Sequence, residues 1–193
     1  TPPEERADGA SQPPDPALRA AGVTQLRGDL DRPDSLRRLA GLAHAVLHSA
    51  PPPGSGSGDP RTRRLLATLA RARSLPRSLT YISTSGVYGD CGGADVSETR
   101  PSRAGSARAQ RRVAAEHALR RAGTRGLRVS ILRAPGIYAA DRLPLERLRR
   151  GDPVLVRAED SYTNHIHAED LGRACVVAIE RGRPNRAYNV SDD

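Results

Sequence analysis

Short apolar runs alternate along this chain with helical segments, and that alternation restricts the fold more than any other feature. The runs lie at 23–26, 43–48, 79–83, 128–132 and 187–190. Between them are helix candidates at 33–42, 61–73, 103–122, 143–150 and 169–181. The first opens on Pro33 and sets Leu36, Leu39 and Leu42 on one face. The second places Leu65, Leu66 and Leu69 inward and its arginines outward. The last begins with Glu169 and Asp170, as the positive end of a helix dipole favours. Strands separated by helices of about 10–15 residues predict βαβ units and a parallel sheet, an α/β fold. In such sheets ligands bind beyond the carboxyl ends of the strands, so the residues after each run are the ones to examine.

The remainder is connecting chain. Residues 1–16 are polar and Pro-rich and are expected to be linker or disordered; residues 17–21 suggest a helix end closed by Gly22. The expected division is 1–22 as linker remnant and 23–193 as one incomplete domain. Residues 51–59 (PPPGSGSGD) and 89–102 read as loops, and 154–156 as a short strand.

Composition narrows the core and the partners. Hydrophobic residues are 37%, aromatics 3%, with no Phe or Trp, so Leu, Val, Ile and Ala must fill the interior and stability is expected to be modest. The formal charge is +9, and all 31 basic residues are Arg. They are spread over several helices with no aromatics between them, which fits solvated helix faces and argues against nucleic acid as partner. Cys91 and Cys175 form no CxxC, and a reducing cytoplasm is the expected compartment. No apolar run approaches the ~20 residues of a membrane helix. His165 and His167 lack a third ligand at metal spacing, so no metal is expected. The absence of Met at position 1 suggests that the start of the protein lies upstream.

The residues after the runs carry a resemblance. Gly28-Asp29-Leu30, Val46-Leu47-His48-Ser49-Ala50, Tyr81-Ile82-Ser83-Thr84-Ser85-Gly86-Val87-Tyr88-Gly89-Asp90, Leu132-Arg133-Ala134-Pro135-Gly136-Ile137-Tyr138, His165-Ile166-His167-Ala168-Glu169-Asp170-Leu171 and Tyr188-Asn189-Val190-Ser191 occur in order. Together they resemble the strand-end motifs of extended short-chain dehydrogenase/reductases, the NAD-dependent epimerase/dehydratase group, and its atypical members labelled nucleoside-diphosphate-sugar epimerases. The resemblance implies a Rossmann-like doubly wound sheet and NAD or NADP as cofactor. It implies Asp29 and Leu30 at the adenine, Ser49, Ala50 and Pro51 along the ribose and pyrophosphate, and Ala134, Pro135 and Gly136 near the nicotinamide. Each has a plainer reading beside it: Asp29, Thr84-Ser85-Gly86 and Pro135-Gly136 are also turn residues. His48 is expected to be a buried, hydrogen-bonded histidine.

Two departures from the family pattern stand out. No Gly-rich strand-to-helix turn occurs in 1–28, so the first strands and the phosphate cradle are absent. In the order 3-2-1-4-5-6 this separates the family's third strand from the rest, and the piece alone is expected to fold poorly. The second is chemical. The family's Tyr-x-x-x-Lys helix here reads Arg108 at the Tyr position and Arg112 at the Lys position. A guanidinium stays protonated and cannot serve as a base, although Arg112 can hold ribose or phosphate. Arg108, Arg111 and Arg112 share about one helical turn, with Arg111 expected on the solvated surface. Thr84 and Ser85 remain as catalytic candidates, Thr84 aligning with the family's Ser/Thr at the reacting oxygen. The implied function is an NAD(P)-binding oxidoreductase or epimerase acting on a nucleotide-sugar or similar hydroxyl or carbonyl compound. The alternative is a non-catalytic dinucleotide-binding protein of the same fold.

Overall fold

The computed structural model describes residues 15–143, 145–153, 156, 160 and 162–192, with the backbone alone at Arg142. Four strands form a parallel sheet in the order β1 (Ala45–His48), β2 (Ser78–Thr84), β3 (Val129–Ala134), β6 (Arg186–Asn189). Each is joined to the next by a crossover that contains a helix, which parallel pairing requires. These are α2 (Pro60–Leu69), α3 (Ala107–Gly123) and α5 (Ala168–Arg181). A second sheet pairs β4 (Gly136–Tyr138) with β5 (His165–His167), also parallel. Two five-residue helices complete the set, α1 (Pro16–Ala20) and α4 (Leu145–Arg149).

Local chemistry starts the helices. The side chains of Asp15, Asp59 and Ser106 accept from the Ala17, Thr62 and Ala109 amides, and Pro stands first in α1 and α2, where no amide is needed. The strands bury both faces. Leu79, Tyr81, Val129 and Ile131 point toward α2 and α3, against Leu65, Leu69, Ala115 and Leu119. Leu132 and Ala134 point the other way, onto Ile166, Leu171, Cys175 and Ala178. Helices therefore cover both faces of the sheet, a doubly wound arrangement.

Several expectations are corrected. Residues 23–26 are irregular, with Val23 46% and Leu26 45% exposed. Among the described residues no strand lies beside them, and a strand without a neighbour gains no ladder hydrogen bonds. The helix at 33–42 is a 3-10 helix, Pro33–Leu39, closed by extended Ala40 and by Gly41 at φ +74°. The helix at 143–150 shortens to α4, which buries no residue. Three-residue β4 and β5 are too short to show a period in sequence and were not anticipated. The strand expected at 154–156 and most of the linker at 1–16 lie outside the described residues.

Candidate functional site

The carboxyl ends of β1, β2 and β3 fall along one edge of the sheet. Parallel register sets Thr84 opposite Ala134, so Ser85 and Pro135 leave the sheet side by side, while His48 pairs with Tyr81 and β1 ends three residues short of β2. The candidates after β2 and β3 are therefore brought to one rim, and Ser49 leaves the same end of the sheet three residues lower. Thr84 is half-buried, and its Oγ1 accepts from the Gly86 amide at 3.2 Å, capping the 3-10 turn Ser85–Tyr88. The hydroxyl keeps its proton for donation. Ala134 is buried, Pro135 half-buried and Gly136 exposed.

Asp29 and Leu30 arrive from a separate turn. Asp29 Oδ1 accepts from the Asp31 amide at 2.7 Å, and the Ser35 hydroxyl receives the Asp29 amide at 2.8 Å. Leu30 packs against the core beneath. The turn is tied to the β1 loop by residues the sequence did not single out. Arg61, on α2, donates to Asp31 Oδ2 from Nε at 3.0 Å and from Nη2 at 2.5 Å, and to the Pro51 carbonyl from Nη1 at 3.2 Å. Arg64, one turn on, donates to the Leu30 carbonyl and to Asp31 Oδ1. The Arg61 hydrogen bond holds the Asp31 carboxyl below its usual range. One guanidinium thus joins 29–31 to 49–51. Helical spacing assigned these arginines to solvent, and nothing local in the sequence pairs them with Asp31.

The helix in place of the family's Tyr-Lys helix turns Arg111 and Arg112 inward and leaves Arg108 exposed. Arg112 donates from Nη1 to the Tyr81 hydroxyl at 2.9 Å and to the Ile82 carbonyl at 2.7 Å. Arg111 is not on the surface: it is 8% exposed and donates to the Gly56 carbonyl at 3.2 Å. The loop at 51–59 folds over it, which a helical wheel cannot anticipate. Tyr81 is fully buried, and loss of hydration pushes its phenol up to about 12. Next to it His48 is buried as expected, its Nε2 2.8 Å from the Thr62 hydroxyl, which bonds to Asp59. Burial lowers the His48 imidazole to about 4.

On the far side of Ser85 opens a cleft of about 1440 Å³. Its walls are Ser85, the loop at 89–97, Pro135 and Gly136, residues 162–165, and residues 189–191. A polar network fixes its floor. Arg133, 4% exposed, pairs with Glu116 and donates to the Tyr88 hydroxyl at 2.8 Å. That hydroxyl donates to Asn189 Oδ1 at 2.7 Å. Asn189 is held in turn by Glu98 and the Val96 carbonyl. Of the chain's five histidines only His165 lines the cleft.

Comparison with known proteins fits this geometry. No curated protein sequence matches the chain. An epimerase candidate from Burkholderia cenocepacia superposes with a TM-score of 0.78 at 24% identity, over 95% of this chain and 64% of that one. UDP-glucuronic acid 4-epimerase from Bacillus cereus, solved with NAD, gives 0.74 at 22% identity, over 91% and 64%. A conserved protein of unknown function from Silicibacter pomeroyi gives 0.68 at 30% identity, over 92% and 60%. The chain thus spans about 60–64% of the length of these three relatives. The sheet is a Rossmann-like sheet lacking part of the fold they share. Residues 9–191 match the model of the NAD dependent epimerase/dehydratase family, and the chain belongs to that family.

Proposed function

We propose that this chain is the dinucleotide-binding portion of an NAD(P)-dependent enzyme that oxidises and reduces, or epimerises, a hydroxyl carbon of a nucleotide-sugar or similar compound. One observation carries the reading: Thr84-Ser85 and Ala134-Pro135-Gly136 stand side by side at the carboxyl ends of the adjacent parallel strands β2 and β3, with Ser49-Ala50-Pro51 following β1 at the same end of the sheet, where doubly wound sheets take their ligands.

The residues present suit part of such a cofactor. Asp29 and Leu30 would meet the adenine, Ser49 to Pro51 the ribose and pyrophosphate side, and Pro135 and Gly136 the nicotinamide. Gly54, Gly56 and Gly58 have nothing within 4 Å of the space a Cβ would fill, leaving their backbone open to a ligand. Among the described residues ahead of β1 no Gly-rich turn joins a strand to a helix, so the pyrophosphate cradle that opens the family's fold is not among them. A bound nicotinamide would supply hydride acceptance or donation. The protein's part is to hold substrate with the Thr84 and Ser85 hydroxyls and to manage the hydroxyl proton. Arg112 keeps Nη1 on the Tyr81 hydroxyl and the Ile82 carbonyl, so it serves the ribose or a phosphate only with its remaining donors.

Titration of the full-length protein with NAD and NADP, followed by calorimetry, tests this. Saturable binding of one of them in the micromolar range is expected; no binding of either at millimolar concentration overturns it. The non-catalytic alternative is favoured by Arg108 and Arg112 at the Tyr and Lys positions. Turnover of a sugar nucleotide that is abolished in Thr84→Val excludes that alternative.

A further inference from the structure

The Tyr-Lys pair is missing, yet oxidation of a hydroxyl requires a group that takes its proton. Thr84 and Ser85 cannot, because a hydroxyl is a poor base at neutral pH. The chain has five tyrosines, and four are committed elsewhere. Tyr81 is fully buried under Arg112. The Tyr88 hydroxyl accepts from Arg133 and donates to Asn189. Tyr138 donates to Asp192 at 2.8 Å and lies outside the cleft wall. The Tyr188 hydroxyl accepts from the Arg183 amide. The fifth, Tyr162, also lines the cleft, but its ring sits against Gly93 of the loop wall and is 87% exposed.

His165 is placed differently. It lines the cleft together with Ser85, Pro135 and Gly136. Its imidazole lies directly on Gly136: a Cβ there would stand 2.8 Å from Cδ2 and 3.2 Å from Nε2. The glycine therefore leaves the room the ring occupies. The backbone beneath is fixed on both sides. Gly136 pairs with His165 across β4 and β5, and the Asp192 amide donates to the His165 carbonyl at 2.8 Å. The Tyr138 ring meets the imidazole edge-on at 6.4 Å. Asp90 and Asp95 also line the cleft, on its loop wall.

We propose that His165 is the proton-exchanging residue of this cleft, doing from β5 what the absent tyrosine does from its helix. The inference rests on the cofactor reading above. An imidazole nitrogen takes the proton of the substrate hydroxyl: the O–H bond breaks and an N–H bond forms. The electron pair left on oxygen becomes the second bond of a carbonyl as the carbon's hydride leaves to an oxidised nicotinamide dinucleotide. Reduction runs the same transfers backwards, so atoms and charge balance. Imidazole suits the task because one ring nitrogen offers a lone pair to accept a proton while the other carries a hydrogen it can donate.

The test uses the full-length protein. Histidine side-chain NMR resonances are followed as NAD and then NADH are added, with His165→Gln identifying the signal. Movement of the His165 resonance is expected, by different amounts for the two because only the oxidised ring is cationic, with the His117 signal unmoved. Turnover is then measured over a panel of UDP- and dTDP-hexoses. His165→Gln is expected to lower kcat at least 100-fold, leave KM and dinucleotide affinity within threefold, and remove one limb of the pH–rate profile. His117→Gln, an exposed control on α3, keeps all three. Dinucleotide binding with an unmoved His165 signal, or His165→Gln within threefold of wild type in kcat, overturns the inference while sparing the cofactor reading. Absence of any dinucleotide binding, or of turnover across the panel, overturns the enzyme reading itself and this role with it.

Discussion

The Glu116 carboxylate and the Arg133 guanidinium meet in a two-pronged ion pair, Oε1 to Nε at 3.1 Å and Oε2 to Nη2 at 2.7 Å, with side chains 2% and 4% exposed. The Ser83 hydroxyl adds a third bond to Oε1 at 2.7 Å, and the Tyr88 ring lies 4.8 Å from the guanidinium carbon. Burial opposes the Arg133 charge, but Glu116 and the Tyr88 hydroxyl outweigh it, and its pKa rises above the ordinary value. The pair joins α3 to β3 beneath the cleft. Glu116→Ala strands a buried cation and is expected to cost about 3–5 kcal/mol of unfolding free energy. Glu116→Leu with Arg133→Met is expected to cost less, because no charge is then left unpaired. Urea unfolding of the full-length protein measures both; equal losses would contradict the ion-pair assignment.

His48 makes stability depend on pH in a defined window. Its imidazole titrates near 4 when folded, against 6.5 when unfolded, because burial removes the hydration its charge needs. Between those values the unfolded chain binds the proton and the folded one does not, so stability rises with pH across the window and falls as pH drops from 6.5 toward 4. The expected change is about 3 kcal/mol as an order of magnitude. Asp31 and Glu98, held below their usual range by Arg61 and by the Asn189 amide respectively, add stability above the carboxylate range and lose it only at lower pH. Unfolding free energies measured from pH 7 to 4 should therefore slope for wild type and flatten for His48→Gln. A wild-type curve flat over that range would show that His48 is not buried neutral.

How much of this was legible in the sequence follows from the range of the interactions. Strand runs such as 79–83 and 128–132 carry local period and composition, and both appear within two residues of the expected ends. The strand-end motifs placed Thr84, Ser85, Pro135 and Gly136 at one rim because parallel register aligns strand ends without help from side chains. What was missed is long-range. Arg61 meets Asp31 across 30 residues, Arg111 meets Gly56 across 55, and Tyr88 meets Asn189 across 101. Helical periodicity sends an Arg outward by default, and only the packed loops show where it turns back. The segment at 23–26 failed for the opposite reason: its local pattern suits a strand, but pairing is a tertiary property.

Gly89 is predicted to be the least replaceable residue of the cleft loop. Its φ is +73°, and a Cβ there would collide with the backbone carbonyl of Arg103, which cannot rotate away. The Arg103 amide is itself bonded to the Val87 carbonyl at 2.9 Å, so that stretch is fixed from both sides. Gly89→Ala should cost at least about 2 kcal/mol, combining the left-handed penalty with the clash. Gly92→Ala supplies the comparison: it shares a positive φ, +57°, but meets nothing within 4 Å. It should cost about 1 kcal/mol. Equal losses in thermal unfolding would mean that the Arg103 contact is not made.

Arg61 offers the sharpest separation of binding from stability. Its guanidinium bridges Asp31 and the Pro51 carbonyl, so it fixes the distance between the two turns proposed for the adenine and for the ribose and pyrophosphate side of the cofactor. The ion pair is 28% and 43% exposed, and partly exposed pairs contribute about 1 kcal/mol or less to folding. Arg61→Ala is therefore expected to lower the melting temperature little, while weakening dinucleotide affinity about tenfold, roughly 1.4 kcal/mol, because the turns must be ordered at the expense of binding. Arg61→Lys keeps the charge but cannot reach both partners with a planar fork, and should recover only part of the loss. Calorimetric titration beside thermal unfolding on the same samples decides it. A large fall in melting temperature with unchanged affinity would make Arg61 a fold residue and detach it from the site.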